Sequence, residues 1–311
     1  MNTLVTTIAP VFGVIVLGFL AVRLGLFGPT GAQRLVRFVF NLAIPAMLFH
    51  RLARIDFPDH IEWAFLLAYY ASAFLAYGAG MAVARFRFGR PRDEQAIYGM
   101  GAGFSNTVLL GIPLLLTAFG PEAELPVFMI IAFHSITLLP VTVALIQSGR
   151  PRTEARPGVR WARLVGEILA NPIIVGILLG LLVNALGTGL WAPLDATAAL
   201  LATVAIPCAL FALGASLAGY PLQGELGPAA ALATLKLVLQ PVLAWILAVP
   251  VLGLGAPWAA VAVVMASLPS GAMVYLFGAR YDAAQGVAAK TVLVASAVSV
   301  VTISVWLVVM G

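Results

Sequence analysis

Three stretches of this 311-residue chain carry residue types that could recognise an ion without transforming it. In Leu235-Lys-Leu-Val-Leu-Gln-Pro241, Gln240 follows Lys236 by four residues and so shares its helical face, offering an ammonium and an amide. Gly101-Ala-Gly-Phe-Ser-Asn-Thr-Val-Leu-Leu-Gly-Ile-Pro113 and Ala266-Ser-Leu-Pro-Ser-Gly-Ala272 set small polar residues among helix breakers. The candidate ligands there are Ser105, Asn106, Thr107, Ser267, Pro269 and Ser270, with Gly103, Pro113 and Gly271 as breakers. Hydroxyls and amides beside a cation suit a bound anion. His134, next to Ser135 and Thr137, is a candidate proton relay, with a hydrogen-bonded packing role as the alternative. Catalytic patterns are missing: no phosphate-binding Walker sequence, no HExxH, no paired intramembrane aspartates, no Cys/His metal spacing. The single Cys208 excludes a disulfide framework and a thiolate cluster. Neither an enzyme nor a resident metal is expected.

Those stretches must be positioned by helices in a membrane. The chain is 62% hydrophobic and 9% charged, against about 25% charged in soluble domains. Mean hydropathy is +1.06. A bilayer core about 30 Å thick takes roughly 20 helical residues. Ten apolar segments qualify, near 4–22, 33–50, 61–84, 96–119, 125–147, 164–186, 192–218, 228–252, 257–278 and 284–310. The runs are continuous and not alternating, which predicts helices and not a barrel. The first segment lacks a basic leader and reads as a retained span. Only 148–163 is long and polar enough to be a substantial loop.

Arginine sets the orientation. Loops 1/2, 3/4, 5/6, 7/8 and 9/10 hold 13 Arg, from Arg23 to Arg280, whereas the opposite side has Arg51 and Arg54. The positive-inside rule then puts both termini on the non-cytoplasmic side of a plasma (inner) membrane. The same rule explains the basic clusters without nucleic acid. Lys236 lies about eight residues, or roughly 12 Å, into span 8. A Lys at mid-depth costs about 2.5–3.5 kcal/mol. It therefore either holds an anionic substrate or stands in for a coupling cation, the bland alternative being a snorkelling stem. Lys290 is shallower and reads as snorkelling. No acidic residue lies deep enough to be an evident Na⁺ or H⁺ site, and coupling to either ion stays open.

An internal repeat appears at an offset of 162 residues. Leu17–Gly25 lies over Leu179–Gly187, Pro10 over Pro172 and Ser105 over Ser267. Ala43–Phe49 matches Ala205–Phe211 at five of seven positions. The division is 1–147, a loop at 148–163, and 164–311. Each half carries five spans, an odd number, so the second starts on the opposite face and the halves are inverted. The expected fold is an all-α integral membrane protein of ten helices in two inverted five-helix repeats, with helices 4 and 9 discontinuous. Pro45 and Pro207 read as structural kinks. At the breaks, Ser105, Asn106, Ser267 and Ser270 are expected to cap restarting helices, whose N-termini would face an anion.

Ile44-Pro-Ala-Met-Leu-Phe49, Asn106–Pro113, Asn171-Pro172, Leu235-Lys-Leu237 with Pro241, and Leu268-Pro-Ser-Gly271 occur in an order that resembles the auxin efflux carrier family in its short prokaryotic form. The resemblance covers nearly the whole chain. It implies a fold similar to that of bile acid sodium symporters, with a scaffold (spans 1, 2, 6 and 7) and a transport unit (spans 3–5 and 8–10). It also implies that helices 4 and 9 flank the substrate, with Asn106, Pro113 and Pro269 in the crossover. Relatives move organic anions, auxin in plants and small carboxylates such as malonate or malate in bacteria. The long central loop of plant relatives is missing, so its phosphorylation does not carry over. The reading is a secondary transporter of a small organic anion by an elevator motion. The alternative is a sodium-coupled symporter of an amphipathic or neutral solute. The expected partners are the solute and the bilayer, with a second copy of the chain as a candidate.

Overall fold

The structure, a computed structural model, describes residues 4–149, 166, 170–221 and 224–311. Most of the 148–163 loop, including Arg150, Arg152, Arg156, Arg160 and Arg163, lies outside the described residues. Every regular element among the described residues is helical. The first part contains α1 (Ala9–Arg23), α2 (Pro29–Phe38), α3 (Ile44–Leu52), α4 (Ala64–Phe88), α5 (Arg92–Gly103), α6 (Ile112–Phe119) and α7 (Glu124–Ser148). The second contains α8 (Pro172–Leu186), α9 (Ala192–Ala218), α10 (Leu226–Thr234), α11 (Gln240–Ile246), α12 (Trp258–Ser267), α13 (Met273–Arg280) and α14 (Gln285–Met310).

Among the described residues, seven helical runs are long and apolar enough to cross a bilayer, and the surface agrees with them. Leu17, Leu67, Leu182, Leu200 and Val301 are all exposed, which water would disfavour and lipid tails would not. The protein is a multi-pass membrane protein. Length alone leaves out the expected spans 4, 6 and 9. Span 9 is divided into α12 and α13, of 10 and 8 residues. Span 4 begins with α5, 12 residues long and ending at Gly103. Its remainder is counted with span 5 in a run from Thr107 to Ser148. At about 1.5 Å per residue such a run would exceed any bilayer if straight. It turns at Gly120, where φ is +68°, a conformation open to glycine.

Proline shapes several helices in one way. Pro45, Pro113 and Pro241 each sit at the second residue of a helix that follows a five-residue π turn: Val39–Ala43, Thr107–Gly111 and Leu235–Leu239. A proline cannot donate to the carbonyl four residues back and collides with it. The wider turn moves that carbonyl aside. Pro207 lies inside α9, which runs on through it from Ala192 to Ala218. The α8 ends are closed locally: the Asn171 side chain accepts from the Ile173 amide at 2.9 Å, and Gly187 terminates the helix at φ +62°.

Glycine allows two close crossings. α1 packs on α9 and α3 on α8. A methyl on Gly18 would strike the Phe211 carbonyl. A methyl on Gly180 would lie 2.8 Å from the Phe49 carbonyl oxygen. Gly180 is Gly18 shifted by 162, and Phe211 is Phe49 shifted by the same amount. The same offset of 162 residues thus relates one packing contact to the other.

Candidate functional site

Two interrupted helices meet by their backbones. α5 stops at Gly103, Phe104 is extended, and helical geometry resumes at Thr107. α12 stops at Ser267, Leu268 is extended, and α13 begins at Met273. Between the breaks Ser105 and Ser270 form an antiparallel β-bridge. The Asn106 amide donates to the Pro269 carbonyl, and the Gly271 amide to the Phe104 carbonyl, both at 2.9 Å. These bonds satisfy backbone groups that a broken helix would otherwise leave bare in hydrocarbon. Gly271 allows the approach: a methyl there would sit 3.1 Å from both the Phe104 ring and the Ser105 carbonyl. Gly103 does the same on the other side, where a methyl would lie 2.6 Å from the Ala73 carbonyl of α4.

The expected site residues are thereby brought together, with one exception. Ser105, Asn106, Thr107, Ser267 and Ser270 are all buried at the crossing. Pro113 is not part of it. It lies seven residues beyond Asn106, after the π turn, so the α5–α6 break is made by Gly103 and the extended Phe104–Asn106 segment. The expected capping also takes a different form. Neither restarting helix has a side-chain N-cap bond. Ser270 Oγ instead donates to the Gly101 carbonyl at 2.6 Å, and Ser267 Oγ to the Val264 carbonyl at 2.8 Å. Both hydroxyls serve the ends where helices stop, because a terminated helix leaves carbonyls without amide partners.

Lys236 is fully buried, and its Nζ donates to the Ala266 carbonyl at 2.7 Å. Ala266 is in the last turn of α12, so the ammonium faces the negative end of a broken helix. Lys236 itself lies in a π turn, with fully buried Gln240 at the start of α11. Both amide atoms of Gln240 lack a hydrogen-bond partner, as does Asn106 Nδ2. Buried polar groups are almost always paired, so these three atoms are exceptions, all on or near the crossing segments. Lys290 is directed elsewhere: its ammonium donates to the Gly224 carbonyl at 2.8 Å, consistent with its shallow position.

His134 on α7 belongs to the crossing's surroundings. Its ring centroid is 4.3 Å from that of Phe104, and its Nδ1 is 3.4 Å from the Tyr69 hydroxyl. The Tyr70 hydroxyl donates to the Ile130 carbonyl at 2.6 Å. Tyr69 and Tyr70, on α4, were not singled out from the sequence. Their signal was available: two adjacent phenols inside an apolar helix, each needing a polar partner when buried. No group of His, Cys, Asp or Glu among the described residues is arranged to hold a metal ion.

Residues 3–307 match the model of the family described as Membrane transport protein. The chain belongs to the auxin efflux carrier family. It is 29% identical over 298 residues to a Rhizobium meliloti protein named "Putative malonate transporter", covering 96% of this chain and 92% of that protein. It is 24% identical to an uncharacterized transporter of Methanothermobacter thermautotrophicus, covering 98% of this chain and 97% of the relative. A mouse lysosomal cholesterol signaling protein matches at 24% over 186 residues, which is 56% of this chain and 21% of that longer protein. The family makes the protein a membrane transporter and not an enzyme.

Proposed function

We propose that this transporter carries a small organic anion of the carboxylate class, and that the α5/α12 crossing is where the anion binds. The observation that carries the reading is the pairing of the two breaks at Ser105 and Ser270. It concentrates helix ends, hydroxyls and amides inside otherwise apolar helices. Asn106 Nδ2 and Gln240 Nε2 are donors awaiting an acceptor, while Lys236 supplies positive charge nearby. A carboxylate suits such a donor set. The relative named for malonate supports a small carboxylate over a bulky one.

The proposed topology is ten spans in two inverted halves, with both termini on the non-cytoplasmic face of the plasma (inner) membrane. The reciprocal Gly18–Phe211 and Gly180–Phe49 contacts support the duplication, since the offset of 162 residues carries each contact onto the other. In that arrangement α1, α2, α3, α8 and α9 form a scaffold, past which the remaining helices carry the crossing in an elevator motion. His134 is the group best placed to relay a proton.

Purified protein in liposomes, given labelled mono- and dicarboxylates under imposed Na⁺ and proton gradients, tests the reading. Saturable uptake of a carboxylate that is lost in Asn106→Ala supports it. Uptake unaffected in both Asn106→Ala and Ser267→Ala moves the site elsewhere.

A further inference from the structure

Far from the crossing, where α4 gives way to α5, an arginine is held in place with donors to spare. Arg90 follows Gly89, which closes α4 at φ +61°. Its amide donates to the Ala84 carbonyl at 3.0 Å, and its carbonyl accepts from Gln95 Nε2 at 2.7 Å. The guanidinium lies beside the Tyr98 hydroxyl and pairs with Glu225, while Glu94 is 3.7 Å away. Tyr98 is fully buried, and neither its hydroxyl nor Arg90 Nε has an acceptor. Arginine only donates, so it cannot take the phenol's proton. Buried donors are almost always met, and an N–H beside an O–H suits the two oxygens of a carboxylate. The carboxylate on the guanidinium is that of Glu225, whose side chain is 55% exposed and free to exchange with solute. The backbone beside it is fixed. A methyl on Gly224 would lie 2.4 Å from the Gly286 carbonyl, and Lys290 Nζ donates to the Gly224 carbonyl at 2.8 Å. A displaced Glu225 side chain would therefore find an ammonium one residue away along the chain.

We propose that Arg90 and Tyr98 form a second site for a small carboxylate, at the cytoplasmic mouth, and that Glu225 is its internal occupant. An anion on that side displaces Glu225 and is held there, apart from the crossing. The inference rests on the proposed carrier reading for its ligand class and on the proposed topology for its side.

Calorimetric titration of malonate into the full chain tests it, in an uncharged detergent and in an Asn106→Ala background that weakens the crossing. Malonate should still bind. Adding Glu225→Gln should tighten binding by up to about fivefold, the most an exposed pair competes. Adding Arg90→Gln should weaken it roughly tenfold or more. Tyr98→Phe should weaken it without lowering the melting temperature, because the hydroxyl removed has no acceptor. A merely structural ion pair would do the reverse, lowering melting and leaving malonate affinity alone, and that result overturns the proposal. So does residual binding that ignores Arg90→Gln, or no binding once Glu225 is replaced. Should Arg90→Gln not fold, Tyr98→Phe and Glu225→Gln decide between them. Carboxylate uptake by the wild type is recorded separately. A protein that transports no carboxylate yet shows this binding pattern would sink the carrier reading and leave the second site standing. Normal uptake with none of these affinity changes would do the opposite.

Discussion

Asn106 Nδ2 and both Gln240 amide atoms are buried without partners, whereas Ser270 Oγ is buried with one. Opposite consequences follow on substitution. An unpaired buried polar atom already bears its desolvation cost, about 1–3 kcal/mol. Gln240→Met keeps the volume and removes that cost, so melting should stay level or rise while carboxylate uptake falls at least about tenfold, the equivalent of 1.4 kcal/mol. A fall in both would make Gln240 a packing residue. Ser270→Ala should behave the other way. It strands the Gly101 carbonyl inside the protein and should lower stability by about 1–3 kcal/mol in denaturant or thermal melts. Ser267→Ala removes a bond to a carbonyl of its own helix and should cost less than Ser270→Ala, the gap being read in the same melts. Side-chain types were legible in the sequence at all these positions, but their partners were not. Lys236 could be placed at depth by counting residues. That its ammonium meets Ala266, 30 residues on, depends on how α12 packs beside the π turn.

At the level of whole helices, breaks and close approaches differ in what a sequence reveals. Gly, Pro and Ser clusters within apolar runs announced both interruptions, because those residues fail as helix interior for local reasons. The location of the first break was less legible. Pro113 is the stronger breaker by type, yet the π turn at Thr107–Gly111 absorbs it and the chain opens at Phe104–Asn106. The pairing offset was also hidden. Ser105 aligns with Ser267 in the repeat but bridges to Ser270, three residues further on. Glycines at helix crossings give the sharpest test. Gly18→Val and Gly180→Val would each drive a side chain into a carbonyl of the facing helix. Each should destabilise by roughly 1–3 kcal/mol, the usual cost of overpacking, seen as a lower melting temperature. Gly13→Ala on the same α1 helix meets nothing within 4 Å and should leave melting unchanged. A harmless Gly180→Val beside a damaging Gly18→Val would contradict the equivalence of the two crossings.

For the molecule as a whole, the question is whether two groups of helices slide past each other. An ion pair that bridges them is informative, since it can persist in only some of the positions they adopt. Arg51, at the end of α3 in the proposed scaffold, pairs with Glu124, at the start of α7 in the proposed moving unit. The other pairs near it stay on one side: His50 of α3 and Arg54, two residues past its end, both meet Asp195 of α9. Exposed pairs contribute about 0.2–1 kcal/mol; this one is partly buried, and the upper end of that range corresponds to roughly a fivefold bias between positions. Arg51→Gln and Glu124→Gln should therefore each change the ratio of inward to outward transport rates by up to about fivefold. They should act in the same direction, and the double variant should do no more than either single one, because both remove the same interaction. Asp195→Asn, whose partners lie within the scaffold, should lower stability without altering that ratio. The measurement is initial uptake against efflux from loaded liposomes, with melting recorded alongside. Equal shifts from Asp195→Asn and Glu124→Gln would mean that α3 and α7 do not part during transport. A rigid protein of that kind would have to expose its crossing to the two sides by some other movement.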